Sequence, residues 1–467
     1  MALSSTGSSE EKGILKSYYD QRLFRAMRFN IPKGSRVLEV GTNTGDLLAA
    51  LEPSLGVGID SSLQAIEHAS KKYPDLNFIL GKAENLPVMG EFDAIVLSNL
   101  VGELKDVQAV LENLDSLCGP NTRIYITYYN FLWGPAIRVA EKLGFKKYQP
   151  EQNWLRPKDL ENLLKLAGFE PVKMTRDLLV PIPLPIVSDI INDYLAPLPF
   201  LNHMCINEIV VGRKPHRKAK DSLSTSVVVA CKDERGNIEE IVRCVPRMGK
   251  FTELIFVDGH STDGTVEEIE RCAGDLERLN PNLESINVMV QKSTGKGEAV
   301  RMGFDAALGD VLMILDADHT VRAEDLPKFF NALADGVGEM INGTRLVYPL
   351  EKEAMRFLNL LANHVFGLGF TWLLDQRLTD TLCGTKVLLK SNYEKIKNNR
   401  SYFGDFDPFG DFDLLFGAAK LNMKLCEVPI RYRARRYGDI KIQRFRHGLL
   451  LLKMSALAFS KFKTYKV

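Results

Sequence analysis

Short apolar runs that close on glycine or aspartate, each followed by a helical pattern, recur along both halves of this chain. That alternation is the mark of βαβ units, and successive βαβ units build a parallel sheet with helices packed on it. In open sheets of this kind ligands bind beyond the carboxyl ends of the strands. The residues that close each apolar run are therefore the first candidates for function.

At 467 residues the chain has room for two or three domains. Arg213-Lys-Pro-His-Arg-Lys-Ala-Lys-Asp-Ser222 is polar, basic and poor in apolar residues, and it parts the two alternating halves. A solvated linker explains such a charge run better than a nucleic-acid patch does. The expected division is 1–213, a linker at 214–223, a second domain at 224–440 and a basic tail at 441–467. The expected fold class is α/β with two doubly wound domains.

The net charge is +1, so no global field points to nucleic acid. Seven cysteines (118, 205, 231, 244, 272, 383, 426) lie scattered without a Cys-x-x-Cys pair. That argues against a zinc site or a disulfide framework and fits a reducing cytoplasm. The first residues lack the apolar core of a signal peptide, and no long uncharged apolar stretch reads as a membrane span. The expected location is the cytoplasm, at the inner face of the membrane.

In the first half, Arg36-Val-Leu-Glu-Val-Gly41 reads as a strand running into Gly41-Thr-Asn-Thr-Gly45 and a helix start at Asp46. Glycines there allow a tight turn and close approach of a ligand to the backbone. Gly56-Val-Gly-Ile-Asp60 is a second strand ending on an acid, suited to a ribose diol. A third, from Asn77, is followed by Glu84, and Phe92 to Leu97 is a fourth. The ordered set Glu39, Gly41, Gly45, Asp60 and Glu84 resembles class I S-adenosylmethionine-dependent methyltransferases over residues 15–213. The resemblance implies S-adenosyl-L-methionine as cofactor. The Gly41 and Gly45 backbone would face its methionine part, with Glu39 nearby, Asp60 on the ribose hydroxyls and Glu84 near the adenine. Asn43 stands where that family usually has glycine, and Asn tolerates left-handed backbone better than most residues. The Asn-Pro-Pro-Tyr type of sequence is missing after Leu97, so the methyl acceptor is not legible. Leu178 to Phe200, with five prolines, reads as an extended lid or interface and not as a regular helix.

In the second half, Gly309-Asp-Val-Leu-Met-Ile-Leu-Asp-Ala-Asp318 is an apolar run ending in Asp-x-Asp. Side chains two apart on a strand point the same way, so Asp316 and Asp318 leave the strand together. Two hard oxygen donors suit Mg²⁺ or Mn²⁺ carrying a diphosphate; a strand capped by a turn is the plainer reading. Upstream, Ser226 to Ala230 is a strand, and Glu253 to Asp258 is another that closes on an acid. Thr294-Gly-Lys-Gly-Glu-Ala-Val-Arg301 offers Lys296 and Arg301 to phosphate oxygens.

This order resembles family 2 glycosyltransferases of the GT-A fold, in particular those acting on polyprenyl phosphates, from residue 224 to about 445. The resemblance implies a nucleotide-sugar donor (UDP- or GDP-sugar) and a lipid-phosphate or glycan acceptor. Asp258 would contact the nucleobase or ribose, Asp316 and Asp318 the ribose and metal–diphosphate, and Lys296 or Arg301 the nucleotide-sugar. Gly343-Thr-Arg345 resembles a step that puts Arg345 near acceptor or phosphate. In Asp380-Thr-Leu-Cys-Gly-Thr-Lys386, Asp380 or Cys383 reads as structural. Asp411 and Asp413 occupy the place of the family's acids. One of them is the expected general base, with a helix N-cap at Asp411 as the alternative. Arg435 and Lys441 resemble a step that meets acceptor phosphate.

From Arg431 to Val467 the chain carries eleven Lys/Arg and a single acid, Asp439, and residues 449–459 within it are apolar around one lysine. That composition suits an interfacial helix on an anionic leaflet, or a helix packed on the domain. Met355 to Leu374 reads as an acceptor-side helix or a homodimer face. The expected activity is a metal-dependent inverting sugar transfer fused to an S-adenosylmethionine-dependent methyl transfer. The alternative keeps the first half as a non-catalytic binding module.

Overall fold

The computed structural model describes residues 7–142, 153–293, 295–349, 357–402, 412–433, 435, 437 and 444–465. They fall into two compact units, Met1–Pro215 with Phe459–Val467, and His216–Ala458. Among the described residues each unit contains one seven-stranded sheet.

The first sheet is built from β1 (Arg36–Val40), β2 (Leu55–Asp60), β3 (Asn77–Leu80), β4 (Phe92–Ser98), β5 (Cys118–Tyr129), β6 (Glu170–Asp177) and β7 (Asn207–Arg213). Their spatial order is β3-β2-β1-β4-β5-β7-β6, and β7 runs antiparallel to both of its neighbours. Val37, Leu38 and Val40 of β1 are buried, as a strand covered on both faces requires. Leu38 pairs with Val57 on one side and Ile95 on the other. The direction of winding reverses at β1 and β4, which makes the carboxyl end of β1 the natural ligand crevice.

The second sheet comprises β8 (Thr225–Cys231), β9 (Thr252–Asp258), β10 (Ser285–Val290), β11 (Val311–Asp316), β12 (Met340–Thr344), β13 (Lys386–Leu389) and β14 (Leu425–Pro429). The order is β10-β9-β8-β11-β13-β12-β14, with β13 antiparallel between β11 and β12. Val227, Val228 and Val229 of β8 are fully buried. Ala230 pairs with Val257 in β9 and with Asp316 in β11, so three strands end at one level. The helix Lys296–Ala306 lies against β8 at Gly303, where a Cβ would stand 2.4 Å from Val228 Cγ1. That close packing carries Lys296, two turns earlier on the same face, over the strand ends.

Two elements differ from the sequence reading. Leu178 to Phe200 is not simply extended: Val187–Ile190 and Ile191–Leu195 are helical, as is Leu201–Met204 further on. The prolines confine this helix without preventing it. Pro181, Pro183 and Pro185 precede its first turn, where proline is tolerated, and Pro197 follows its last. Asn192 then ties it down, its Oδ1 accepting the amides of Leu179 and Val180 at 2.9 Å.

The tail is also not one element. Arg444–Ala458 is a helix of the second unit, whereas Phe459–Lys463 is a further helical turn of the first. There Phe459 stacks on Tyr194 at 6.4 Å, and Phe462 and Tyr465 contact Phe29 at 6.0 and 5.4 Å. Arg25 donates to the Thr464 carbonyl. Among the described residues no helix is long and apolar enough to cross a membrane.

Candidate active sites

The carboxyl end of β1 is shaped by left-handed backbone at Gly41 (φ 78°), Asn43 (φ 47°) and Gly45 (φ 75°). Asn43 thus adopts the conformation usually given to glycine. Its amide donates to Asp60 Oδ2 at 2.9 Å, and Ser62 N donates to Asp60 Oδ1 at 2.9 Å. Asp60 is fixed by two backbone donors at the end of β2. Beneath the loop, Thr42 Oγ1 donates to Glu39 Oε2 at 2.8 Å. Burial pushes the Glu39 carboxyl up to about 8, against the lowering effect of Thr42 and the Leu48 amide. Gly58 is needed below the same loop, because a Cβ there would meet Phe78 at 2.7 Å and Thr42 Oγ1 at 2.8 Å.

Four of the five expected residues, Glu39, Gly41, Gly45 and Asp60, therefore gather at two adjacent strand ends. Glu84 is exposed, and its carbonyl accepts from Asn113 Nδ2 at 2.6 Å. An open groove of about 460 Å³ runs beside the helix Asp46–Ala50, lined by Phe24, Asp46, Lys72 and Tyr73 among others. Its lining includes none of the five, so the strand ends define this site better than the groove does.

Sequence reasoning missed a second group in this unit. Asn99 follows β4 with φ 52° and donates from Nδ2 to Tyr19 OH at 3.0 Å. Tyr19 lies 5.9 Å from the Tyr129 ring. Only the spacing of Asn99 from the end of β4 could have signalled it; Tyr19 is on a helix far away in sequence.

In the second unit Asp316 ends β11 as expected, whereas Asp318 lies two residues beyond it, in the turn that follows. Lys296 Nζ donates to Asp316 Oδ1 at 2.6 Å. Burial pushes the Asp316 carboxyl up, but Lys296 outweighs it and holds the group below the usual carboxylate range. Asp318 Oδ1 accepts from Thr320 N at 3.1 Å and Thr320 Oγ1 at 2.7 Å. Arg435 Nη1 stands 3.9 Å from Asp318 Oδ2, and its Nη2 pairs with Glu234. Asp258 is buried at the end of β9, with β8 between it and β11, its carboxylate accepting the Ser261 amide at 2.9 Å. Asp258, Lys296, Asp316, Asp318 and Arg435 thus converge on the strand ends.

Three other expected residues are held in ion pairs of their own. Arg345 does not offer its fork to solvent. Nε and Nη2 each donate to the buried Asp380 at 2.7 Å, and the guanidinium lies 5.0 Å over Tyr432. The pair is bidentate and geometrically strong, which agrees with the structural reading of Asp380. Arg301 Nη1 lies 4.0 Å from Asp413 Oδ2, and Arg400 Nε donates to the same oxygen at 2.8 Å. Asp413 is accordingly an ion-paired carboxylate on the first turn of Phe412–Lys420. Asp411 and Lys441 lie outside the described residues.

The motif that contains Asp380 holds more than was read from it. A Cβ on Gly384 would fall 2.0 Å from Asp316 Oδ2, so the Asp316 carboxylate rests against bare backbone. Lys386, fully buried on β13, donates to the Cys383 carbonyl at 2.5 Å and helps hold the Asp316 carboxyl below its usual range. These residues fit a divalent ion. Two carboxylates stand two residues apart, one of them set in a cradle only glycine permits, and cations that a diphosphate can engage stand beside them. No group of three or more His, Cys, Asp or Glu side chains that could hold a metal occurs among the described residues. The rest of the coordination would then come from the bound diphosphate and water, as is usual for Mg²⁺.

Comparison with known proteins assigns each unit to a class. Residues 226–395 match the glycosyl transferase family 2 model, and residues 15–174 match a methyltransferase domain model. The chain thus joins a methyltransferase domain to a family 2 glycosyltransferase domain. A dolichol-phosphate mannosyltransferase from Saccharomyces cerevisiae is 36% identical over 122 residues, which is 24% of this chain and 42% of the relative. An undecaprenyl-phosphate 4-deoxy-4-formamido-L-arabinose transferase from Pectobacterium carotovorum is 28% identical over 153 residues, 32% of this chain and 45% of the relative. The chain therefore spans less than half the length of these relatives. A SAM-dependent methyltransferase structure from Thermotoga maritima aligns at 19% identity with TM-score 0.36, covering 45% of this chain and 96% of that one.

Proposed function

We propose that the second unit transfers a sugar from a nucleotide-sugar donor to a lipid phosphate or glycan, with a divalent ion bound at Asp316 and Asp318. The observation that carries this reading is the Asp316–Asp318 pair at the end of β11, set against Gly384 and faced by Lys296 and Arg435. The relatives whose names specify dolichol phosphate and undecaprenyl phosphate support the choice of a polyprenyl-phosphate acceptor.

When bound, Mg²⁺ or Mn²⁺ supplies positive charge to the leaving diphosphate. Asp316 and Asp318 hold the ion, Asp258 binds the nucleoside, and Lys296 neutralises diphosphate oxygens as the glycosidic bond breaks. A phosphate acceptor is already anionic near neutral pH. It attacks the anomeric carbon without surrendering a proton, so the reaction asks no base of Asp413. With a hydroxyl acceptor a base is required, and Asp411 or Asp413 takes that role.

In the same reading the first unit binds S-adenosyl-L-methionine, which supplies an electrophilic methyl group. Asp60 receives the ribose hydroxyls, and the Gly41–Gly45 backbone lies along the methionine part. Asn43, in left-handed conformation with its amide on Asp60, supports a loop that keeps its binding shape. Association with the bilayer that carries a polyprenyl acceptor also belongs to this reading. Exposed Leu361, Val365 and Leu368 on one helix and Leu449 and Leu452 on another support it.

A screen of UDP- and GDP-sugars, read by nucleotide release with and without Mn²⁺, tests the second unit. Wild type is expected to be active with metal and Asp318→Asn to be inactive while folded; equal turnover of the two would refute the metal assignment. Calorimetry with S-adenosylmethionine, using Asp60→Ala as control, tests the first. An absence of heat with wild type would leave that unit without its cofactor.

A further inference from the structure

The two carboxylates at the end of β11 each face a cation. Lys296 Nζ sits 2.6 Å from Asp316 Oδ1. Arg435 is shared: Nη1 lies 3.9 Å from Asp318 Oδ2 while Nη2 pairs with Glu234. These pairs are half-buried or better. Side-chain exposure is 30% and 26% for Lys296 and Asp316, 18% and 24% for Arg435 and Asp318, and 6% for Glu234. At such depth the charges are screened less than on an open surface.

This arrangement has a consequence for ligand order. A divalent ion arriving alone must take Asp316 from Lys296 and leave the ammonium beside a like charge. A nucleoside diphosphate arriving alone must draw Lys296 and Arg435 away and leave three carboxylates, Asp316, Asp318 and Glu234, facing anionic oxygens. When both arrive, each takes the partner that the other releases.

We propose that Lys296 and Arg435 are exchangeable counter-ions. They neutralise the Asp316–Asp318 pair in the ligand-free protein and pass to the diphosphate when the metal occupies the carboxylates, so that metal and nucleotide bind with positive coupling. This rests on the reading of the site as a metal–nucleotide-sugar site and adds a mechanism of assembly to it. The local backbone suits the exchange. Gly295, at φ 114°, precedes Lys296, and Gly297 follows it, so the first helical turn can pivot. Gly303, pressed on Val228, fixes the remainder of that helix. Glu234 holds the second cation in balance between two acids.

The inference predicts opposite signs for two variants. Mn²⁺ binding is measured by electron paramagnetic resonance of the free ion, with and without saturating UDP or GDP. In wild type, nucleotide is expected to tighten Mn²⁺ binding by about 5- to 150-fold, the usual span of coupling between sites. Lys296→Met is expected to bind Mn²⁺ alone more tightly than wild type and to lose most of the gain from nucleotide. Lys296→Arg is expected to retain that gain. Glu234→Gln is expected to bind Mn²⁺ alone more weakly, because Arg435 then closes on Asp318. Circular dichroism matching wild type certifies each fold. If Mn²⁺ and nucleotide bind wild type independently, or if Lys296→Met binds Mn²⁺ alone no better than wild type, the exchange is refuted and the site reading stands. If wild type binds neither Mn²⁺ nor nucleotide, the site reading falls and the exchange with it.

Discussion

Gly384 stands where a Cβ would lie 2.0 Å from Asp316 Oδ2, so the reach of that carboxylate depends on a residue with no side chain. Gly384→Ala must push Asp316 out of position, and a displacement near 1 Å costs about 100-fold in rate at a reacting centre. Sugar transfer is expected to fall by roughly that factor, with the circular dichroism spectrum unchanged; activity within a few-fold of wild type would show that Asp316 tolerates the shift. Asp316 was legible because it closes an apolar strand; Asp318 was singled out by alternation along that strand, yet it falls in the turn after β11. Gly384 and Lys386 were not legible, because their closeness to Asp316 depends on β13 entering antiparallel between β11 and β12, a register that local pattern does not encode. Arg345 is close enough to act on the Asp316 carboxyl, and the motif carried that much but not its partner. The buried carboxylate that takes its fork comes from another loop. Glu39 gives a pH signature at the same scale. Its folded value, raised from an ordinary 4.5 to about 8, means that the folded protein binds a proton the unfolded chain gives up. This contribution is fully present below about pH 4.5 and is lost as pH rises towards 8, since stability falls wherever the folded state binds more protons. Glu39→Gln removes the dependence, so its stability relative to wild type is expected to rise across that window in urea titrations. Parallel curves from pH 5 to 8 would contradict it.

At the scale of elements, hydrophobic periodicity gave the strands of the parallel core with small errors at their ends. It failed where proline dominated. The segment after Leu178 turned out to hold a helix because its prolines flank that helix and do not interrupt it. Its acids face the body of the unit: Asp193 accepts from Arg22 Nη1 at 2.5 Å, and Asp189 from Tyr18 OH at 3.1 Å. The segment Met355 to Leu374 was read as a helix, and Phe357–Leu374 forms one with two faces. Phe370, Leu373 and Leu374 are buried, whereas Leu361, Val365 and Leu368 are exposed at helical spacing. On Arg444–Ala458 the sides divide likewise, with Leu451 and Met454 inside and Leu449 and Leu452 outside. One side of that helix packs on the domain, and the other leaves Leu449 and Leu452 exposed. Replacing Leu368 and Leu452 together by Asp is expected to release the protein from anionic liposomes in co-sedimentation, with melting unchanged. Undiminished co-sedimentation would move the contact surface elsewhere.

For the whole molecule, the chain passes from the first unit into the second near residue 215 and comes back near residue 459. The basic run 214–223 was expected as a solvated linker, but residues 216–223 belong to the second unit, where Lys218 N donates to the Ala334 carbonyl at 2.8 Å and Leu223 is buried. The sequence concealed the second crossing, because a few aromatic residues following a basic apolar helix carry no sign of which core will accept them. Phe462 is 5% exposed against Phe29. Phe462→Ala is expected to cost the first unit about 3 kcal/mol, as large-to-small changes at buried aromatic positions do. That lowers its melting temperature by roughly 6–12 °C, while the transition of the second unit stays in place in calorimetry. A common shift of both transitions would show that the units unfold together.

The return of residues 459–465 to Phe29 and Tyr194 also sets a timetable for synthesis. The first unit leaves the ribosome first, yet its aromatic closure is translated only after the entire second unit. During elongation it must persist with Phe29 uncovered, open to chaperones and proteases. A nascent chain arrested before residue 459 is expected to be cleaved readily within the first unit, and release of the full chain to end that sensitivity.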